Sequence, residues 1–201
     1  MTGIVDYGCG NLFSLVSSFE HIGEKAEVCN TAEQLYKCER IVLPGVGAFG
    51  DAAKKLAACK LDAVVKKMSE SAPLLGICLG MQLLFDKSFE YGEHDGLGLI
   101  QGEVRPLEGY ISKDGKIPQM GWNALVFEKP SRLLKYINNG DYVYFVHSYH
   151  AVTPARYVTA SVDHGGTVTA AVEYGNVFGT QFHPEKSGKV GLKILKAFTE
   201  L

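Results

Sequence analysis

Apolar residues near the start of the chain come in short runs. The runs alternate with segments where apolar positions recur every three or four residues. Ile4-Val5-Asp6, Ala26-Glu27-Val28-Cys29, Arg40-Ile41-Val42-Leu43 and Leu74-Leu75-Gly76-Ile77-Cys78 are the runs, each of strand length. Leu12, Leu15, Val16, Phe19 and Ile22 form a stripe at helical spacing, and Gly23 supplies a stop. Asp51 opens a further helix whose stripe includes Leu56, Leu61, Val64, Val65 and Met68, and another helix runs from Leu79 to Phe85. Strand and helix alternating in this way imply a parallel sheet covered on both faces.

The second half is richer in strands. Tyr142 to His147, Tyr157 to Val162, Thr169 to Glu173 and Asn176 to Phe182 follow one another with turn residues between. The close spacing of the last three implies antiparallel connections. A final helix from about Lys189 places Val190, Ile194, Phe198 and Leu201 on one face. The expected fold class is therefore α/β: a mostly parallel central sheet with helices on both faces, and an antiparallel, strand-rich C-terminal part. The 201 residues contain no repeat, low-complexity stretch or linker, so one domain over 1–201 is expected.

Charge changes the picture only by exclusion. Twenty basic against twenty-two acidic side chains give −2, which suggests neither nucleic acid nor an anionic membrane as partner. No apolar run approaches the roughly 20 residues that span a bilayer, and the start lacks a basic leader followed by an apolar core, so a cytoplasmic protein is expected. Cys9, Cys29, Cys38, Cys59 and Cys78 are odd in number and form no CxxC pair. Reduced thiols fit this better than disulfides or zinc, and no metal or other cofactor is expected.

Cys78 stands apart because of its neighbours. It ends an apolar strand, a helix follows at once, and Gly76 and Gly80 flank it in a Gly-x-Cys-x-Gly arrangement like the serine elbow of hydrolases. The thiol would sit at a helix N-terminus, which favours an anion. The Leu79 amide would point toward an oxyanion. Far along the chain, His183-Pro184-Glu185 ends another strand. Proline holds the histidine backbone extended, and Glu185 can fold back to orient the imidazole. Cys78 as nucleophile, His183 as base and Glu185 as orienter make a cysteine hydrolase or acyl-transfer enzyme. Leu43 to Gly50 closes a third strand with three glycines but matches neither GxGxxG nor GxxxxGK. It is either an ordinary tight turn or the source of a second oxyanion amide near Val46 and Gly47. The alternative to catalysis is a cysteine redox sensor on the same scaffold, against which Glu185 counts.

Together these segments resemble the class I, triad-type glutamine amidotransferases, whose glutaminase domains carry a G-x-C-x-G-x-Q elbow and a late H-P-E. The resemblance covers essentially the whole chain. Within that family, Val5 to Leu12, Pro44-Gly45-Val46-Gly47 and Pro118-Gln119-Met120-Gly121-Trp122-Asn123 are similar to the glutaminase subunits of imidazole glycerol phosphate synthases. A glutaminase subunit of another pathway is the nearest alternative. The resemblance implies that Cys78 attacks the glutamine side-chain amide and that a glutamyl thioester is hydrolysed. It further implies that Gln82 and Glu90 hold the amino-acid end of glutamine, with Ser148 and Tyr149 lining the same pocket; Glu93 competes with Glu90 for that part. The implied partner is HisF, a (β/α)8-barrel cyclase subunit forming a heterodimer, which uses the ammonia on the nucleotide PRFAR. Trp122, Asn123, Tyr144 and Lys186 lie in motif segments beside the site and are the expected interface residues.

Overall fold

The four apolar runs become parallel strands of one sheet. The computed structural model describes residues 1–112 and 115–201. In it β1 (Thr2–Val5), β2 (Ala26–Cys29), β3 (Arg40–Leu43) and β4 (Leu74–Ile77) lie in the order β2-β1-β3-β4. Strand β4 then pairs in parallel with Val177–Thr180, from the far end of the chain. Thr167–Tyr174, Val158–Asp163 and Val126–Phe127 continue the same sheet antiparallel. The α/β expectation holds, and the antiparallel part extends the parallel sheet.

Helices among the described residues are α1 (Leu12–His21), α2 (Ala32–Leu35), α3 (Phe49–Ala58), α4 (Leu61–Ser69), α5 (Leu79–Gln82) and α6 (Gly188–Thr199). Successive strand side chains point to opposite faces, and the core divides accordingly. Ile4, Val42, Leu75 and Phe178 meet Leu15 and Phe19 of α1 and Ile194 and Phe198 of α6. Val5, Ile41, Leu43 and Leu74 meet Leu35, Leu56, Leu61 and Val65 of α2 to α4. All strand residues of β1 and β4 are buried, as a strand covered on both faces requires.

Two expected helices differ from the observed ones. The helix expected from Asp51 begins at Phe49 and is two helices, broken at Cys59 and Lys60, where Lys60 takes φ +57°. Leu56 and Leu61 are five positions apart, a step that carries the second apolar residue off the first one's face. The break resets the phase, so Leu61, Val64, Val65 and Met68 all reach the core. The helix expected over Leu79 to Phe85 stops at Gln82. Leu84 and Phe85 turn back with i→i−3 bonds to Met81 and Gln82. Amides of the 96–100 segment take the next carbonyls, which a continuing helix would have offered to later residues: Leu97 bonds Leu83, Leu99 and Ile100 bond Leu84, and Gly98 bonds Phe85.

Two smaller sheets had little or no sequence signal. Tyr142–His147, which was expected, pairs antiparallel with Gln119–Ala124, which was not. Tyr149–Val152, Glu103–Pro106, Lys87–Ser88 and His94–Asp95 form the other. Most are too short for a period of two to be read. They bring 88–90 and 146–149 over the carboxyl ends of β3 and β4, which is where an open α/β sheet forms its binding crevice.

Candidate active site

Three neighbouring parallel strands deliver the site. Strand β3 ends in Pro44–Gly47, β4 ends in Cys78, and Val177–Thr180 ends in Gln181 and His183. The ladder continues to the nucleophile itself, where Cys78 N–H donates to Thr180 O at 2.7 Å. Cys78 adopts φ +55°, ψ −111°, a backbone conformation that L residues rarely take. Such a turn needs small neighbours. A Cβ at Gly80 would stand 1.8 Å from the Leu43 carbonyl oxygen, one at Gly76 2.6 Å from Gly80 O, and one at Gly45 2.7 Å from Gly80 N. Elbow and Pro44–Gly47 loop are thus packed backbone on backbone.

The helix after the elbow is a single turn, so its dipole is short. What remains is the Leu79 amide, which at the first helical position has no intrahelical acceptor. Across from it, Gly47 has φ +97° with nothing within 4 Å of a Cβ position, and Val46 is exposed. Tyr7 holds this loop from below, its buried hydroxyl donating to Pro44 O at 2.7 Å. Burial first, then the Cys9 and Cys78 thiols, raise the Tyr7 pKa far above its usual value, which keeps it a neutral donor.

His183 Nδ1 bonds Glu185 Oε1 at 2.8 Å, with both side chains almost fully enclosed. A carboxylate can only accept, so Nδ1 carries the proton and Nε2 faces the chemistry. Nε2 is buried without a well-aligned hydrogen bond among the described residues, with the Cys78 thiol beside it as the group that most raises the ring's pKa. Burial acts to lower the His183 pKa, and Cys78 and Glu185 outweigh it, raising it to about 9. A protonated imidazole, held between Glu185 and the nucleophile, is the form this favours.

Cys78, Leu79, Val46, Gly47 and His183 share one cavity of about 290 Å³ with Gln82, Glu90, Ser148, Tyr149 and Lys186. The residues expected at the catalytic, oxyanion and glutamine-binding positions line this one cavity except Glu185, which stands behind His183 and reaches the site through it. Glu90 reaches it by accepting the Phe49 amide at 2.6 Å. Burial raises its pKa, against the Phe49 amide and His94, which lower it. Glu93 instead pairs with Lys87 at the surface. Gln82 donates from Nε2 to Tyr149 O and to Gln181 Oε1, both at 3.0 Å. Gln181, fully buried, donates to Cys78 Sγ at 3.8 Å. Sequence reasoning missed the parts of Gln181 and Tyr7, although both lie in motif segments.

The expected interface residues separate. Trp122 is 54% exposed and meets Tyr144 edge-on at 6.0 Å, with Lys186 Nζ 6.0 Å from the Tyr144 ring. Asn123 commits its side chain to the Asp163 carbonyl and the Ala124 amide. Phe13, Val46, Met120 and Trp122 are all exposed apolar side chains. Phe13 and Gly188 line one groove, and Gly188 adjoins Trp122.

The glutamine amidotransferase class-I family model matches residues 3–200. The chain belongs to the class I glutamine amidotransferases. The imidazole glycerol phosphate synthase subunit HisH of Wolinella succinogenes is 48% identical over 204 residues, covering all of both chains. The same subunit from Bacillus subtilis is 46% identical, covering all of this amidotransferase and 96% of that protein. Among solved structures, PurLQS from Thermotoga maritima superposes with a TM-score of 0.76 at 23% identity, over 99% of this chain and 97% of that one. That last likeness concerns the fold.

Proposed function

We propose that this amidotransferase is the glutaminase subunit of an imidazole glycerol phosphate synthase, built as one domain over residues 1–201, with Cys78, His183 and Glu185 as its triad. The observation that carries the chemistry is the enclosed His183–Glu185 bond beside the elbow thiol. Full-length identity to HisH subunits carries the pathway.

Cys78 Sγ attacks the side-chain carbonyl carbon of glutamine as thiolate, its proton held on His183 Nε2. The Leu79 amide and an amide of the Val46–Gly47 loop receive the oxyanion. His183 gives its proton to the departing nitrogen, and ammonia leaves a glutamyl thioester. Water then attacks the thioester, His183 takes its proton, and glutamate is released with Cys78 restored. Glu185 keeps Nδ1 protonated throughout. Both hydrogens of the Gln82 amide are already committed within the protein. Its oxygen is therefore the group left for a ligand, an acceptor suited to the α-ammonium of glutamine. The Glu90 carboxylate answers the same positive charge.

Ammonia is mostly protonated in neutral water and is then no nucleophile, so it must be passed on directly. The recipient in this reading is a (β/α)8-barrel cyclase, HisF, in the cytoplasm. It converts PRFAR into imidazole glycerol phosphate and an aminoimidazole carboxamide ribotide. The exposed apolar residues Phe13, Met120 and Trp122, continued by Tyr144 and by Lys186, which lines the cavity, are the docking face. The peptide at Val46–Gly47 is the site where docking acts, since one flip there completes or removes an oxyanion donor. Glutamate release should be slow for the chain alone, rise strongly with the barrel subunit and its nucleotide, and vanish in Cys78→Ala. A folded mixture with no glutamate release would remove this reading in favour of a cysteine sensor or another synthase.

A further inference from the structure

The catalytic thiol has a contact that the triad leaves unexplained. Gln181 follows directly on the strand Val177–Thr180 and sits two residues before His183, and both side chains approach the sulfur. His183 approaches the sulfur as base. Gln181 approaches it as a hydrogen-bond donor, Nε2 to Sγ at 3.8 Å, from a fully buried position.

The polarity of this contact follows from the bonds behind it. The Tyr149 carbonyl can only accept, so the Gln82 group facing it at 3.0 Å is the NH2. That NH2 also faces Gln181 at 3.0 Å, and the group it meets must accept, so it is Oε1. Gln181 is thereby forced to present its own NH2 to the sulfur. Reversing the Gln181 amide would set two NH2 groups against each other in a buried place and turn a carbonyl oxygen toward the thiolate. Both are costly where water is absent. The Tyr149 carbonyl also receives His147 Nδ1 at 2.8 Å, so the far end of the chain is itself fixed.

We propose that Gln181 is a positioning residue for the nucleophile: oriented by Gln82 and the Tyr149 carbonyl, its amide holds the Cys78 sulfur and favours its thiolate form. This rests on Cys78 being the nucleophile. An N–H donor toward sulfur gains strength when the acceptor is charged, and such bonds shorten. The Cys78–Gln181 bond therefore tightens as the thiol ionises. Bonds in a chain of amides reinforce one another. A ligand on the Gln82 oxygen would then polarise its NH2, and through Gln181 steady the sulfur. Binding of the amino-acid end and readiness of the nucleophile are joined by two side chains.

The test is the rate of alkylation of Cys78 by iodoacetamide against pH in the full-length chain, read on the Cys78 peptide by mass spectrometry because Cys59 is exposed and Cys9 half-buried, and both would react as well. Gln181→Leu should move the alkylation midpoint up by about one pH unit, slowing modification by up to about tenfold at pH values below the native midpoint. Gln181→Glu, near in shape, sets a carboxylate against the thiolate and should shift it further. In the complex, both variants should lower kcat while KM for glutamine stays within about twofold. Melting curves establish that each is folded, and if the leucine variant is not, the glutamate variant carries the test. Profiles superimposing on that of the native chain would overturn the proposal. Glutaminase activity surviving in Cys78→Ala would instead remove the nucleophile assignment, an outcome the Gln181 variants cannot produce.

Discussion

Gly80→Ala puts the elbow's geometry to the question. The added methyl would lie 1.8 Å from the Leu43 oxygen, 2.8 Å from its carbonyl carbon and 3.2 Å from that of Pro44. Side-chain carbons essentially never come closer than 3.0 Å to such atoms, so the backbones must part by about 1.2 Å. All three obstructing atoms are main chain, and β3 is hydrogen-bonded on both sides, so no flexible side chain can absorb the shift. Overpacking of this kind costs about 1–3 kcal/mol, which for a chain of this size lowers Tm by roughly 3 to 10 °C. The direction matters more than the size. The displaced atoms lead straight into Pro44–Gly47, so elbow and oxyanion loop separate, and a misplacement near 1 Å costs about 100-fold in rate. Glutamate release by the complex and a melting curve would be measured together. Gly47→Ala is the contrast, since its methyl meets nothing within 4 Å and disturbs only a backbone at φ +97°; it should lower partner-stimulated turnover with less effect on Tm. Gly80→Ala with Tm and turnover within experimental error of the native chain would refute the backbone-on-backbone account.

Other expectations follow from single contacts. Glu185→Gln can present an NH2 to His183 Nδ1 and favour the wrong tautomer, so kcat should fall by about 100- to 10,000-fold with little change in KM; near-native kcat would deny Glu185 its orienting part. Trp122→Ala removes a half-exposed ring, so affinity for the barrel subunit by titration calorimetry should drop at least about tenfold while Tm hardly moves. A large Tm loss with unchanged affinity would place Trp122 in the core instead. Burial lowers the pKa of both His147 and His150 to about 4, below the unfolded value of 6.5. Between these values the unfolded chain binds the protons. Their stabilising contribution is therefore complete above pH 6.5 and is lost toward pH 4, by at most about 3 kcal/mol each. His150 is fully buried with both ring nitrogens unpartnered among the described residues. His150→Phe should flatten the acid limb of a denaturation series, and an unaltered limb would contradict this.

The parts of the site legible in the sequence were those that local chemistry dictates. A cysteine between glycines needs its small neighbours because the turn at φ +55° leaves no room, and His183-Pro184-Glu185 forms its own hydrogen bond across one short turn. The joining of these two segments was not legible. It depends on Val177–Thr180 pairing with β4 across about 100 residues, a partnership that no local pattern records. Gln181 and Tyr7 stayed hidden for a related reason. Each is one polar residue at a strand end, and only its neighbours in space give it a task. The break at Lys60 was visible as the five-residue step from Leu56 to Leu61, a phase error hidden by reading the stripe as continuous. Strands of two to four residues in the smaller sheets are held by pairing rather than by pattern.

The covalent step is the centre of this account, and rapid acid quenching of the complex during glutamine turnover tests it directly. Mass spectrometry of the digested chain should find a glutamyl group on the peptide bearing Cys78, absent in Cys78→Ala, and longer-lived when the second oxyanion donor is impaired by Gly47→Ala. Steady glutamate release with Cys78 unmodified at every quench time, and undiminished in Cys78→Ala, would contradict it.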